Sequence, residues 1–281
     1  MLQVQEQVES HDVTHFYAQE LNGTTYNLLR MNLLMHGVPY KKFTTYNDDT
    51  LKKDNFGDET FQIQVSNPPY SAHHTMGKSY ESDPRYSGAG VLAPASKADL
   101  AFVEHMAFHM ADDGRVAVLL PHGVLFRGGA EEKIRRYLID TLNCIDAVIG
   151  LPANMFHGTS IPVCVLMLKK NRNGNSDNIC FIDAAKEYVE GKNQNLISEK
   201  HINKIVAAYS DRKNIEKYCY VATMQKIEDN GYNLNIPRYV DTFEEEEPVD
   251  ILANKAALKE IEIREKEAVT KVNEMLAELG L

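Results

Sequence analysis

Asn67-Pro68-Pro69-Tyr70 is the stretch of this chain whose residue types add up to a reaction. An asparagine side-chain oxygen and a nearby backbone carbonyl, held close together, can accept both hydrogens of an exocyclic amine. Such an amine on a heteroaromatic ring is a poor nucleophile, because its lone pair is delocalised into the ring. Two acceptors orient the nitrogen and favour its pyramidal form, so that positioning and electrostatics supply the acceleration. Pro68 fixes its own φ and leaves its carbonyl free to be the second acceptor, and Pro69 restricts Pro68 further. Tyr70 offers a flat face on which a base drawn out of its stack can rest. Neither a metal nor a general base is required. The same four residues also read as a strand-to-loop turn, since Asn-Pro and Pro-Pro are common loop dipeptides.

Other chemistry-bearing residues form weaker patterns. His105 and His109 stand four apart and could share a metal, but no HExxH accompanies them, and a helix-face or core pair is the better reading. His73-His74 is a loop pair with the same reading. Lys78 and Arg85, in the loop after the tetrapeptide, are candidate phosphate contacts, with solubility an equally good explanation. Arg127 with Gly128-Gly129 is too short for a phosphate loop. Cys144, Cys164, Cys180 and Cys219 show no CxxC spacing and suggest neither a zinc site nor a disulfide framework.

The scaffold expected around the tetrapeptide is an α/β fold. Between residues 14 and 170 short apolar runs alternate with amphipathic stretches, the signature of a parallel sheet with crossover helices. Strands are predicted at 14–18, 43–46, 61–66, 115–121, 145–151, 163–168 and 179–183. The tetrapeptide therefore leaves the end of a strand. Asn22 suits the N-cap of a helix that carries Leu28, Met31 and Leu34 and is closed by Gly37. Residues 71–95 read as a long loop. Ser96 to Asp99 resembles a capping box opening a helix to about Asp112, stopped by Asp113-Gly114. A further helix is predicted at 131–142, and the runs at 145–151 and 163–168, joined across GTSIP, suit an antiparallel hairpin.

Beyond residue 170 the pattern weakens and stays polar and mixed to Val240. Glu244–Glu247 before Pro248 reads as a solvated linker. From Ile251 one helix is predicted, with Leu258, Ile261, Ala268, Val272, Met275 and Leu279 near three-four spacing and Glu265 interrupting the seam. The organisation expected is a catalytic domain at 1–183, a mixed extension with its acidic linker at 184–247, and an association helix at 248–281.

With the tetrapeptide in place behind its strand, the chain resembles the N6-adenine DNA methyltransferase (modification) subunits of type I restriction-modification systems. The stretches YAQELNGTTYNLLRMNLLMHG (17–37), SKADLAFVEHMAFHMADDGRVAVLLPHGVLFRGG (96–129) and GLPANMFHGTSIPVCVLMLKK (150–170) carry the resemblance, which covers most of residues 14–240. It implies a class I, Rossmann-like S-adenosylmethionine-dependent methyltransferase sheet with an added C-terminal helix. It implies that Asn67 to Tyr70 hold the target adenine amine, that Glu20 takes the donor's ribose hydroxyls, and that Asp49 takes the donor's adenine amine. Glycine, usual before that aspartate, is absent here. Phe156 occupies the place of an aromatic that stacks on the flipped base opposite Tyr70. The resemblance further implies double-stranded DNA as substrate, a specificity subunit reached through the C-terminal helix, a second modification subunit and a restriction subunit.

The glycine-rich donor loop of that family, and the first strand before it, should precede Thr14, yet the thirteen residues there contain no glycine. The family's long preceding helical domain has no counterpart either. Loss of that strand is expected to open the sheet between its second and fourth strands. The isolated chain is then expected to bind the donor poorly, because close backbone approach needs the glycine turn. Two function classes follow: a methyltransferase working in a multi-subunit complex, whose first half could be supplied separately, and a catalytically silent remnant or assembly module. A protein or RNA methyltransferase sharing the tetrapeptide fits poorly, because residues 80–170 and the last helix follow the type I pattern.

Composition adds two bounds. A formal charge of −10 means that DNA, if bound, must meet a local basic surface or a basic partner. No run approaches the ~18 uncharged apolar residues of a membrane span, and the polar, acidic start is unlike a signal peptide, so a cytoplasmic site is expected.

Overall fold

The computed structural model describes residues 2–6, 15–156, 160–242 and 251–278. The elements in chain order are α1 (Leu2–Gln5), β1 (Phe16–Gln19), α2 (Gly23–Met35), β2 (Phe43–Tyr46), β3 (Phe61–Ser66), α3 (Asp99–Phe108), β4 (Met110–Pro121), α4 (Ala130–Arg136), β5 (Ile145–Gly150) and β6 (Val163–Lys169). They continue with β7 (Asn178–Asp183), β8 (Val189–Glu190), β9 (Asn195–Leu196), α5 (Glu199–Asp211), β10 (Cys219–Thr223), α6 (Met224–Asp229) and α7 (Ile251–Glu278). The chain divides into two compact units, Met1–Thr242 and Phe243–Leu281.

Six strands form one mixed sheet in the order β10-β7-β5-β6-β4-β3. β3 runs parallel to β4 and β5 to β7, whereas β6 is antiparallel to both β4 and β5. The antiparallel pairing expected across GTSIP is present. Sheet position follows composition: every residue of Ile145–Gly150 is buried, as a strand covered on both faces requires. Val116, Val118, Ile145, Leu166 and Leu168 pack with Leu100, Val103 and Ile134 from α3 and α4, forming the larger core. On the opposite face Ala147, Ile149, Val163 and Ile182 pack with Ala208 of α5.

A separate two-stranded parallel ladder joins β1 to β2. No described strand pairs with the other edge of β1, nor with the edge of β3 away from β4. Among the described residues, then, no strand lies between β1 and β3.

Local chemistry accounts for several boundaries. Asn22 caps α2, its side-chain oxygen accepting from the amides of Thr24 and Thr25 at 2.9 and 3.0 Å. Gly37 then takes a φ of 76°. The expected capping box at Ser96 does not form: Ala98 is the N-cap of α3, with no side-chain cap bond. Nor does Asp113-Gly114 end that helix. The amide of Phe61 donates to the carbonyl of His109 at 2.7 Å, so pairing with β3 begins at Met110, and Asp113-Gly114 falls in a bulged stretch of β4. A Cβ on Gly114 would lie 2.8 Å from the carbonyl oxygens of both Ala111 and Phe61, which only glycine avoids. The helix expected at 131–142 runs as α4 to Arg136 and continues as a π turn over Tyr137–Thr141.

The polar stretch after residue 183 does not stand apart. β10 forms the far edge of the main sheet, and Asp146, buried in β5, lies 3.3 Å from Arg172 and Lys169 and 3.2 Å from Arg212 just past α5. Such a buried carboxylate surrounded by cations ties α5 to the sheet, because removal of one partner strands the others' charge.

The start of the expected first strand at Thr14, the Glu244–Glu247 run with Pro248, and Leu279 lie outside the described residues, as does part of GTSIP. No described helix is long and apolar enough to cross a membrane.

Candidate active site

The tetrapeptide leaves β3 at the rim of a cleft of about 1130 Å³. Asn67 and Pro69 are exposed, Pro68 is buried and Tyr70 half-buried. Asn67, Pro68 and Pro69 line the cleft together with Glu20 and Asp49, so one cavity gathers the expected amine-gripping residues and both expected donor carboxylates.

Tyr70 points elsewhere. Its ring packs on the apolar cluster of Ile149, Leu151 and Val163, on which Phe156 also packs. Its hydroxyl is buried without a hydrogen-bond partner among the described residues, and that burial, with the nearby Cys164 second, raises the phenol's pKa above the ordinary tyrosine value. Neither Tyr70 nor Phe156, the two aromatics expected to hold a base, is among the residues lining the cleft.

Ser71, the next residue, sits at φ 49°, in the left-handed region. Such a conformation costs of order 1–3 kcal/mol and needs support from its surroundings. The support is Asp99, a fully buried residue in the first turn of α3, whose Oδ1 accepts the Ser71 amide at 2.8 Å. Arg127 Nη1 lies 3.8 Å from the other Asp99 oxygen and 2.9 Å from Glu131 Oε1. Asp99 and Arg127 were not legible as site residues, because neither belongs to the tetrapeptide and the bond joins positions 28 residues apart.

On the donor side, Glu20 Oε1 accepts from the Asn22 amide at 2.7 Å, and the Asn47 side chain donates to the carbonyls of Glu20 and Leu21 at 2.7 and 3.0 Å. Asp49 Oδ1 accepts from the Leu51 amide at 3.0 Å, while Lys52 stands 3.6 Å from its other oxygen. Both carboxylates are half-buried at the ends of β1 and β2.

Arg85 is not a DNA contact, contrary to expectation. It is 5% exposed, and its guanidinium donates to the carbonyls of Thr50 (2.8 Å) and Leu51 (3.1 Å) and to Asp83 (2.8 Å). The Tyr86 hydroxyl donates to the same Leu51 carbonyl at 3.0 Å. Burial alone would raise the Asp83 pKa, but its hydrogen bonds from Arg85 more than reverse this and leave it lowered. The loop after the tetrapeptide thus braces the turn carrying Asp49. Lys78 is exposed on that loop, free to meet a phosphate.

Asp54, His105 and His109 place one ligand atom each within 4.8 Å of one another, the geometry of a possible metal site. Their hydrogen bonds argue against that use. Arg85 can only donate, so its 3.2 Å contact makes His105 Nδ1 an acceptor and leaves the proton on Nε2. His109 Nδ1 meets the Glu59 carbonyl at 2.7 Å and Nε2 meets Asp54 Oδ2 at 2.9 Å, so both of its ring nitrogens are already engaged. Burial first, then the neighbouring His109 and Arg85, push the His105 pKa down to about 3, so His105 stays neutral.

Residues 1–248 match the N-6 DNA Methylase family model. The chain is 38% identical to the type I restriction enzyme MpnII methylase subunit of Mycoplasma pneumoniae over 96% of its own length and 51% of that protein. It is 31% identical to the type I restriction enzyme MjaVII methylase subunit of Methanocaldococcus jannaschii over 92% of this chain and 46% of the relative. Among solved structures, the type I restriction-modification methyltransferase subunit from Streptococcus thermophilus superposes with a TM-score of 0.82 at 47% identity, covering 85% of this chain and 51% of that one. The chain spans about half the length of the relatives it matches.

Proposed function

The chain belongs to the N-6 DNA methylase family, and from that premise we propose that it forms the catalytic part of a type I restriction-modification modification subunit. Its reaction on this reading is methylation of adenine N6 in double-stranded DNA, with S-adenosylmethionine as donor. The observation that carries the reading is the single cleft lined by Asn67, Pro68, Glu20 and Asp49.

The residues present fit the polar half of the donor. Glu20 would take the ribose hydroxyls and Asp49 the adenine amine, and a cleft of about 1130 Å³ is roomy enough for a nucleoside. When bound, the donor supplies an electrophilic methyl group. The protein's own task is the amine: the Asn67 side-chain oxygen and the Pro68 carbonyl accept its two hydrogens, aiming the nitrogen lone pair into the cleft. Tyr70 and Phe156 would hold the extruded base by its faces only after turning from the cluster on which both now pack. Asp99, through Ser71, keeps the exit of the tetrapeptide from relaxing. Matching family and relatives favour this reading over a silent module.

DNA reaches so acidic a body with help. Lys78 supplies one candidate phosphate contact, and a specificity subunit supplies the rest, alongside a second modification subunit and a restriction subunit. α7 carries Leu258, Ile261, Val272 and Met275 at near three-four spacing, and this apolar seam supports α7 as the helix that docks on the specificity subunit. Residues 1–242, one compact unit in which β10 completes the main sheet, would form the catalytic part and the helix from Ile251 the association segment, working in the cytoplasm.

The test is a methylation assay on duplex DNA with the chain assembled on a cognate specificity subunit, scored for N6-methyladenine. Methylation that requires the chain supports the reading. Methylation of cytosine, or of RNA in place of DNA, contradicts it.

A further inference from the structure

We propose that Arg115, Lys169, Arg172 and Arg212 form a binding site for a small phosphate-type oxyanion, at the end of the main sheet away from the tetrapeptide. The inference goes beyond the proposed reaction and does not rest on it. Arg115 pairs with Ile63 in the first half of β3, whereas Asn67 follows the far end of that strand. Residues two apart along a strand share a face. Leu119 of β4 and Val165 and Met167 of β6 pack on the cluster beside α5, so Arg115 and Lys169 are presented to that same side. The two stand directly opposite each other across the β4–β6 ladder. Like charges so placed repel across about 5 Å.

Among the described residues, Asp146 is the one carboxylate that pairs with this group. Its Oδ2 lies 3.3 Å from Lys169 Nζ and accepts from the Tyr209 hydroxyl. Its Oδ1 lies 3.3 Å from Arg172 Nε and 3.2 Å from Arg212 Nη1. Arg115 borders them, its charge felt at the Tyr209 hydroxyl. It is exposed and makes no hydrogen bond or ion pair among the described residues. Four cations thus share one carboxylate, and the side chains of Lys169, Arg212 and Arg172 are only 15%, 11% and 2% exposed. Water screens so buried an excess of positive charge weakly, and a second anion relieves it. The donors select which anion. The unused guanidinium of Arg115 is a planar fork that matches two phosphate oxygens. Lys169 Nζ, 4.8 Å over the Tyr209 ring, has donors beyond the one that meets Asp146. A phosphate dianion offsets most of the excess, whereas chloride offsets one charge and cannot span the fork. Because three of the four cations are largely buried, the ligand is a free phosphate or a small phosphomonoester and not the backbone of a duplex.

The test is a series of thermal melts of the whole chain in inorganic phosphate and in sodium chloride of equal ionic strength. Phosphate is expected to raise the melting temperature saturably, as a ligand held only by the folded state does. It should also slow amide exchange in α5, which Arg212 ties to the site. Arg115→Gln changes an exposed side chain without partners, so without phosphate it should melt as the parent does. Its affinity for phosphate should fall about tenfold or more. An equal rise in chloride would overturn the proposal, and so would undiminished phosphate affinity in Arg115→Gln. A rise that grows without saturating and is the same in both proteins is general salt stabilisation and would overturn it too. Displacement of bound phosphate by a short DNA duplex would give these cations to DNA and overturn the assignment to a free oxyanion. Methyl transfer enters none of these readouts, so the site and the reaction stand or fall separately.

Discussion

Asp99 holds the amide of Ser71 at 2.8 Å, so the first turn of α3 fixes the exit of the tetrapeptide that begins at Asn67. A wholly buried carboxylate supporting a left-handed serine is a relationship between two places that the sequence keeps far apart. Asp99→Ala removes the acceptor and is expected to lower the methylation rate constant about tenfold or more, since small displacements of aligned groups are costly. Asp99→Asn keeps an acceptor oxygen and should retain most of the rate. Donor affinity, which on the proposed reading depends on Glu20 and Asp49 across the cleft, should be alike in both variants, as read by rate against donor concentration.

Lys78 and Arg85 should separate cleanly. Lys78→Ala is expected to leave the melting temperature unchanged and to reduce the slope of log affinity for DNA against log salt by about 0.9. Arg85→Ala should leave that slope alone and destabilise the fold, by about 3–5 kcal/mol, because Asp83 and the carbonyls of Thr50 and Leu51 lose a buried partner. Equal salt slopes for Lys78→Ala and the parent would remove Lys78 from the DNA surface.

Glu104 and His105 set opposite limbs of a stability profile. Glu104 is 2% exposed, neither carboxylate oxygen has a partner among the described residues, and burial pushes its pKa up to about 9. The folded state therefore holds a proton that the unfolded chain has released above the ordinary carboxylate range. Stability is full below that range and falls as pH rises toward about 9, by about 1.4 kcal/mol per pH unit at most. Glu104→Gln should flatten this limb and stabilise the protein at pH 8. His105 acts in the opposite sense: with its pKa held at about 3, it contributes stability above pH 6.5 that is lost as pH falls toward 3. Denaturant melts from pH 4 to 9 on the parent and on Glu104→Gln check both.

Gly114→Ala is expected to destabilise by roughly 1–3 kcal/mol, because the new methyl group would press on two backbone oxygens that hold the β3–β4 register. A thermal melt indistinguishable from the parent would mean the bulge relaxes freely.

The sheet was legible because period and composition agree along it: buried runs such as 145–150 and the cap at Asn22 are local signals, and they form where expected. The opening between β1 and β3 was legible from the family resemblance. What local pattern could not reveal is long-range. Asp113-Gly114 looks like a helix stop, but a partner strand claims Met110 and pulls the boundary back. Leu28, Met31 and Leu34 look like the inner face of α2, yet Leu33 is the residue buried, packed with Phe16, Val38 and Phe43, while those three stay exposed. Arg85 looked like a phosphate ligand because a loop arginine usually faces water; its partners, at Thr50 and Leu51, lie some 35 residues away. At the site, the tetrapeptide announced itself, while Asp99 and Arg127, which support it through space, carry no local signature.

Asn67→Ala under single-turnover conditions tests the central claim most directly, with the chain assembled on its specificity subunit and both donor and duplex saturating. If the Asn67 side-chain oxygen is one of two acceptors gripping the adenine amine, the rate of methyl transfer falls about 10²–10³-fold while donor and DNA affinities stay within about threefold of the parent. A variant that transfers methyl at the parent rate would contradict that role and, with it, the reading of the cleft.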